Sequence, residues 1–386
     1  MDFSESEEHA LLRESVRKVA SAFGHRYFRA KVDAGAKVDE LWDAVARQGF
    51  FGVHLPEAYG GGGGGMVELA IVSEELAAAG CPLLLILVSA AISGELISRF
   101  GTEEQKRAWL PGLAAGGKMA FAITEPDAGS NSHKIATTAV RDGDVWRVRG
   151  TKTFISGVDE APRMIVVVRT GTDEATSRAR LSLLVVDTDA PGLEVVPIPV
   201  EIRIPEKQFT LFFDDVEVPA DRLLGAEGDG LRQVFHGLNP ERITGATICT
   251  GVGRYALERA AAYARERKVW GVPIGAHQGV AHPLAAARIH LEAARLMTMR
   301  AAWLHDHGVD PRLAGEAANM AKYAAAEAGL EALDAAIQAH GGNGMTTEFG
   351  LADLWGLVRL MRIAPVSNEM VLNYVAHTSL GLPRSY

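Results

Sequence analysis

The segment Ala122-Ile123-Thr124-Glu125-Pro126-Asp127-Ala128-Gly129-Ser130-Asn131 begins as a strand and then turns through proline and glycine, presenting backbone amides and two hydroxyls from a loop. Such a donor set suits the polar edge of a ring or a phosphate, and it equally makes an ordinary turn. Six consecutive glycines, Gly60 to Gly65, invite a phosphate-loop reading, but no Lys-Ser/Thr pair follows and no strand precedes them. A flexible interhelical loop is the expectation. His340-Gly341-Gly342-Asn343-Gly344 follows a helical pattern rather than a strand, which excludes a Rossmann fingerprint. Cys81 and Cys249 have neither metal-ligand spacing nor a CxxC partner, so no disulfide framework or metal site is expected.

The elements that must position these residues fall into blocks. Ser4 and Glu7 have capping-box spacing ahead of Leu11, Leu12, Val16, Val19 and Phe23, which recur at helical intervals. Further helices are predicted over about 39–48, 66–79 and 83–100, and after the capping pair Thr102 and Gln105. Residues 1–118 thus read as a helical domain. From Met119, runs rich in Val, Ile, Thr and Phe (145–148, 164–169, 181–186, 193–196, 209–213) are separated by turns at Asp142-Gly143-Asp144 and Pro191-Gly192. They predict an antiparallel β-barrel or sandwich over 119–226. Ala-rich helices near 229–269, 279–307, 312–340 and 366–379 then predict a four-helix bundle over 227–386. The class is α+β multidomain, and helix, sheet, helix in blocks disfavours a doubly wound nucleotide-binding fold.

With 48% hydrophobic and 23% charged residues, the 386-residue chain has the balance of an ordinary globular protein. A net charge of −9 and a pI near 5.8 argue against nucleic acid or an anionic membrane surface as main partner. The run from Leu83 to Ile92 is too short to cross a bilayer, which needs about 20 apolar residues. The acidic start (Asp2, Glu5, Glu7, Glu8) does not resemble a secretory signal, so a cytoplasmic location is expected.

Several ordered motifs carry a resemblance to the acyl-CoA dehydrogenases across essentially the whole chain. Thr124-Glu125-Pro126-Asp127-Ala128-Gly129-Ser130 is similar to the family's Thr-Glu-Pro-x-Ala-Gly-Ser, and Lys152-Thr153-Phe154-Ile155-Ser156 to its Lys-x-aromatic-Ile-Thr/Ser strand. Arg265 to Gly271 resembles its Glu-Arg-x-x-aromatic-Gly helix end, and Gln278 and Gln338 to Gly344 complete the series. The resemblance implies FAD, an acyl-CoA substrate, an electron-transferring flavoprotein as acceptor, and a homotetramer built as a dimer of dimers. It places Ile123, Thr124, Ser130, Phe154 and Ser156 at the isoalloxazine, with Ser130 also near the substrate. Arg267, Trp270, Gln278, Gln338, Gly341 and Gly342 would serve the pyrophosphate and adenine side of FAD in a neighbouring subunit, and Ser367 and Glu369 would also touch the flavin. An aromatic face and short hydroxyls are the parts a flavin ring needs.

The pattern breaks at the base. The family's reaction removes an α-proton with a carboxylate while the β-hydrogen leaves as hydride, and most members place that carboxylate in Tyr-Glu-Gly-Thr; here the matching residues are Ala364-Pro365-Val366-Ser367. Isovaleryl- and long-chain-type members place it on a bundle helix directly before an arginine, which points to Glu241 in Leu238-Asn239-Pro240-Glu241-Arg242-Ile243, with Asn239 and Arg242 as acyl-CoA contacts. Alternatively Asn239 caps a helix, with Pro240 at its first position and Glu241 facing the positive end of the dipole; or Pro240 merely kinks a continuous helix. A second departure, Glu201-Ile202-Arg203-Ile204-Pro205, replaces the family's Gly-x-Arg-x-Ser. A flavin-binding partner subunit without its own base, joined in a hetero-oligomer, and an acyl-CoA oxidase are the competing functional readings.

Overall fold

The computed structural model describes residues 4–174 and 178–384; Asp2 lies outside them. The amino-terminal part is helical: α1 (Glu7–Ser21), α2 (Gly24–Asp33), α3 (Asp39–Ala46), α4 (Met66–Ala78), a π-helix (Ile86–Gly94), α5 (Glu95–Phe100) and α6 (Glu103–Ala114). Two expectations shift. The cap of α1 is Ser6, whose hydroxyl accepts the His9 amide, rather than Ser4, and α2 is an additional helix. Thr102 and Gln105 do form a capping box. The helix predicted over 83–100 is wound as a π-helix for its first half. There Ser93 Oγ donates to the Val88 carbonyl, a His54 ring nitrogen lies 2.9 Å from the Ala90 carbonyl, and Ser89 bonds Met119. Such wide turns often mark functional sites.

The centre is a mostly antiparallel sheet of β1 (Ala120–Ala122), β2 (Thr138–Asp142), β3 (Val145–Ser156), β4 (Arg163–Thr172), β5 (Ala179–Asp187), β6 (Leu193–Ile198), β7 (Gln208–Pro219) and β8 (Leu223–Leu224). Its order is β6-β7-β3-β2-β4-β5-β8, with β1 beside β4. The pairings β1 with β4 and β2 with β4 are parallel. Met164 to Val168 are buried without alternation, because β4 is covered on both faces.

The carboxy-terminal part holds α7 (Gly230–Glu266), a hairpin of β9 (Lys268–Val269) and β10 (Val272–Pro273), α8 (Gln278–Asp306), α9 (Pro311–His340), α10 (Trp355–Leu360) and α11 (Asn368–Tyr374). Pro240 lies inside the 37-residue α7, so Asn239 is not a cap; its Oδ1 instead accepts from Arg242 Nη1 at 2.8 Å. Of the local alternatives, the continuous helix is the one realised. The two helical regions share a core in which Leu69, Leu76 and Ile86 join Ile243, Ala302, Ala318 and Ala321. Among the described residues no helix is long and apolar enough to cross a membrane.

Candidate active site

Three residues spaced by four along α7 share one face: Gly237, Glu241 and Gly245. A Cβ on Gly237 would meet Leu96 and Ile92 at 3.0–3.1 Å, and one on Gly245 would approach Leu87 at 3.8 Å and Pro365 Cδ at 3.9 Å. The glycines therefore let the π-helix, α5 and the 361–366 segment approach α7, with Glu241 between the two contacts. Pro365 thus packs at Gly245, which lies one helical turn along α7 from Glu241.

Glu241 is half-buried, and its carboxyl has no hydrogen bond or ion pair among the described residues. Burial pushes its pKa up to about 7, although the charges of Arg242 and Lys322 pull the other way. Arg242 is buried, and its Nε has no partner among the described residues.

The loop after β1 is fixed from beneath. Glu125 and Lys152 are buried with Nζ and Oε1 2.8 Å apart; Glu125 also accepts the Ala136 and Thr137 amides, and Lys152 donates to the Ile123 carbonyl at 3.0 Å. Burial raises the Glu125 pKa, but the Lys152 charge and these donors outweigh it and leave it below the usual range. The Thr153 amide donates to the Thr124 carbonyl at 2.9 Å, which sets Ile123 and Thr124 beside the next residue, Phe154. Phe154 sits where the β3–β7 register shifts, with φ 56° and its surface 62% exposed. A bulky residue held at positive φ with its ring in the open is strained backbone without a packing reward, the mark of a ligand-facing position. Ser156 Oγ donates to Gln208 Oε1 at 3.0 Å, and Ser130 is exposed beside Gly129, whose Cβ position is open space. Backbone groups, hydroxyls and an open aromatic face suit a flavin ring, so these residues fit FAD.

Ser367 caps α11 by accepting the Met370 amide, and Glu369 lies exposed in its first turn, close in sequence to Pro365. The remaining predicted cofactor residues lie elsewhere. Arg267 ends α7, Trp270 is 87% exposed at the tip of the β9–β10 hairpin, and Gln278 opens α8. Tyr263 stacks on His340 at 4.3 Å and bonds Asn343, bringing this end of α7 to exposed Gln338, Gly341 and Gly342. The rise of an α-helix sets Glu241 and Arg267 roughly 40 Å apart. No side chain of the second cluster reaches the first within one chain.

The segment that departs from the family pattern turns inward. Ile204 is buried with Leu84 and Leu87, and Glu206 accepts the Leu84 amide at 2.8 Å just before the π-helix. Burial, with Glu160 adding, pushes the Glu206 carboxyl up to about 7. On the outer side, Ile202 and Arg203 line a cavity of about 650 Å³ with Arg29, Trp355 and Arg359, which Glu241 does not line.

Lys322 went unnoticed in the sequence. It is 1% exposed, and its Nζ donates to the Val366 carbonyl at 2.5 Å and to Asn368 Oδ1 at 3.0 Å. The available signal was a lysine on the apolar stripe formed by Ala318, Ala325 and Gly329.

Family models for the acyl-CoA dehydrogenase N-terminal, middle and C-terminal domains match residues 6–117, 120–216 and 228–380. The chain is 57% identical to acyl-CoA dehydrogenase FadE12 of Mycobacterium tuberculosis, over 100% of this chain and 99% of that protein. Among solved structures, the glutaryl-coenzyme A dehydrogenase glutaryl-CoA complex superposes with a TM-score of 0.93 at 31% identity, covering 100% of this chain and 98% of that one. Butyryl-CoA dehydrogenase from Megasphaera elsdenii gives 0.89 at 27% identity, covering 98% and 100%. With all three domains matched in order on the fold that the motifs implied, the chain belongs to the acyl-CoA dehydrogenase family, enzymes that dehydrogenate acyl-CoA thioesters with FAD.

Proposed function

We propose that Glu241 is the catalytic base of a self-sufficient acyl-CoA dehydrogenase that forms a trans-2-enoyl-CoA and passes electrons to an electron-transferring flavoprotein. The observation that carries this reading is an unpaired carboxyl on α7, one turn from Gly245, where Pro365 of the usual base segment packs; burial also pushes that carboxyl up to about 7. A base near neutrality is matched to proton abstraction at cellular pH. Glu241 takes the α-proton; Asn239 and Arg242, one position to either side of the Pro240-Glu241 pair, contact the acyl-CoA. Phe154 covers one flavin face and Ser156, Thr124 and Ser130 bond its polar edge, with Ser367 and Glu369 beside it. FAD, when bound, accepts the β-hydrogen as hydride. Leu87 and Ile92 of the π-helix wall the acyl chain.

The test is anaerobic flavin absorbance of the protein purified alone, titrated with butyryl-, isovaleryl-, octanoyl- and palmitoyl-CoA. Bleaching in the wild type and its loss in Glu241→Gln, with FAD retained, is the expected result. Rapid bleaching of E241Q overturns the assignment. A wild type that binds FAD and bleaches with none, yet does so when mixed with a related subunit, favours the partner-subunit reading. Peroxide formed in proportion to substrate consumed identifies an oxidase.

A further inference from the structure

Lys322 lies on the buried stripe of α9, and burying an ammonium is costly unless its donors are used. Here they go to the segment that follows Pro365. Nζ donates to the Val366 carbonyl and the Asn368 side chain; Asn368 donates in turn to Glu327 at 2.6 Å, and Glu327 pairs with Arg362 at 2.8 Å. The Asn368 amide also donates to the Arg362 carbonyl at 3.0 Å. The chain of contacts closes residues 362–368 onto α9, while Pro365 packs at Gly245 of α7.

Resting on the reading of Glu241 as base, we propose that Lys322 is a positioning residue: it clamps the 365–368 segment onto α9, against the α7 face that carries Gly245 and, one turn before it, Glu241. Arg242 and Lys322 act on Glu241; Cys249 and Arg242 from α7, Glu327 from α9 and Glu369 from α11 act on Lys322. Burial, the largest influence, lowers the Lys322 pKa to about 8, so it is still mostly an ammonium at neutral pH. An ammonium there favours the carboxylate form of Glu241, so removing it moves the Glu241 titration to higher pH.

The experiment is an infrared titration of FAD-loaded protein between about pH 5 and 9, following the protonated-carboxyl band lost in E241Q. Lys322→Met is expected to raise the midpoint by at least about half a unit, and Lys322→Arg to restore it towards wild type. An unmoved midpoint in K322M overturns the proposal. Should K322M not fold, Asn368→Leu decides: it keeps the lysine but frees its anchor, and a midpoint identical to wild type overturns the clamp. The two readings fail separately. An active E241Q removes Glu241 as base and leaves the titration interpretable, whereas an unmoved titration with inactive E241Q removes only Lys322.

Discussion

In its proposed role as base, Glu241 would couple catalysis and stability through one environment. Its folded pKa of about 7 lies above the ordinary carboxyl value, so between the two the folded state keeps a proton that the unfolded state has lost. The associated stability is present below the unfolded pKa and is lost as pH rises through about 7. E241Q should therefore melt higher than wild type at about pH 8, by roughly 1–3 kcal/mol after allowance for partial exposure, and match it near pH 5. Thermal melts of the two proteins at both pH values check the sign. The rate of flavin bleaching should run oppositely, rising with pH through about 7 as the carboxylate forms, which stopped-flow absorbance measures.

At the scale of elements, β3 and the loop after β1 act as one unit because Lys152 and Glu125 join them beneath the surface. Lys152→Met should cost about 3–5 kcal/mol in urea unfolding by stranding a buried carboxylate, and adding Glu125→Gln should recover part of the loss. The same unit holds Phe154 at positive φ. Phe154→Gly relieves that strain, so the apo-protein should gain on the order of 0.5–1 kcal/mol while the purified protein carries less FAD. Melting of apo-protein and the ratio of flavin to protein absorbance test both halves.

For the whole molecule, the separation along α7 decides how many chains a flavin site needs. Arg267, Trp270, Gln278, Gln338, Gly341 and Gly342 gather at one end of the bundle, far along α7 from Glu241, so the proposal that they hold FAD requires the flavin of a neighbouring subunit. Light scattering is expected to show a homotetramer, and Arg267→Met to lower FAD content without changing the melting of apo-protein. A monomer that binds FAD fully would contradict this arrangement.

Much of this was legible in the sequence because it depends on short-range order. The Thr102 and Gln105 cap, the β-branched runs of the sheet and the Ala-rich helices are local preferences that packing did not override, and the flavin-side motifs are contiguous. The pairing of Ser4 with Glu7 failed because several polar residues precede α1 and only the folded backbone selects Ser6. The winding at Ile86–Gly94 was hidden for a related reason: His54, far away in the chain, engages one of its carbonyls. Sequence alone left Asn239-Pro240-Glu241 open between a helix start and a kinked continuous helix. Tertiary packing decided it, since α7 is stabilised by burial along its whole length and not by the preference of one turn. Residue types and their order thus determined the family and the kind of chemistry. That Lys322 meets Val366 and Asn368 while Pro365 meets Gly245, one turn from Glu241, was decided by the packing of α7, α9 and the 361–368 segment, because burial and charge exist only between elements that the fold has brought together.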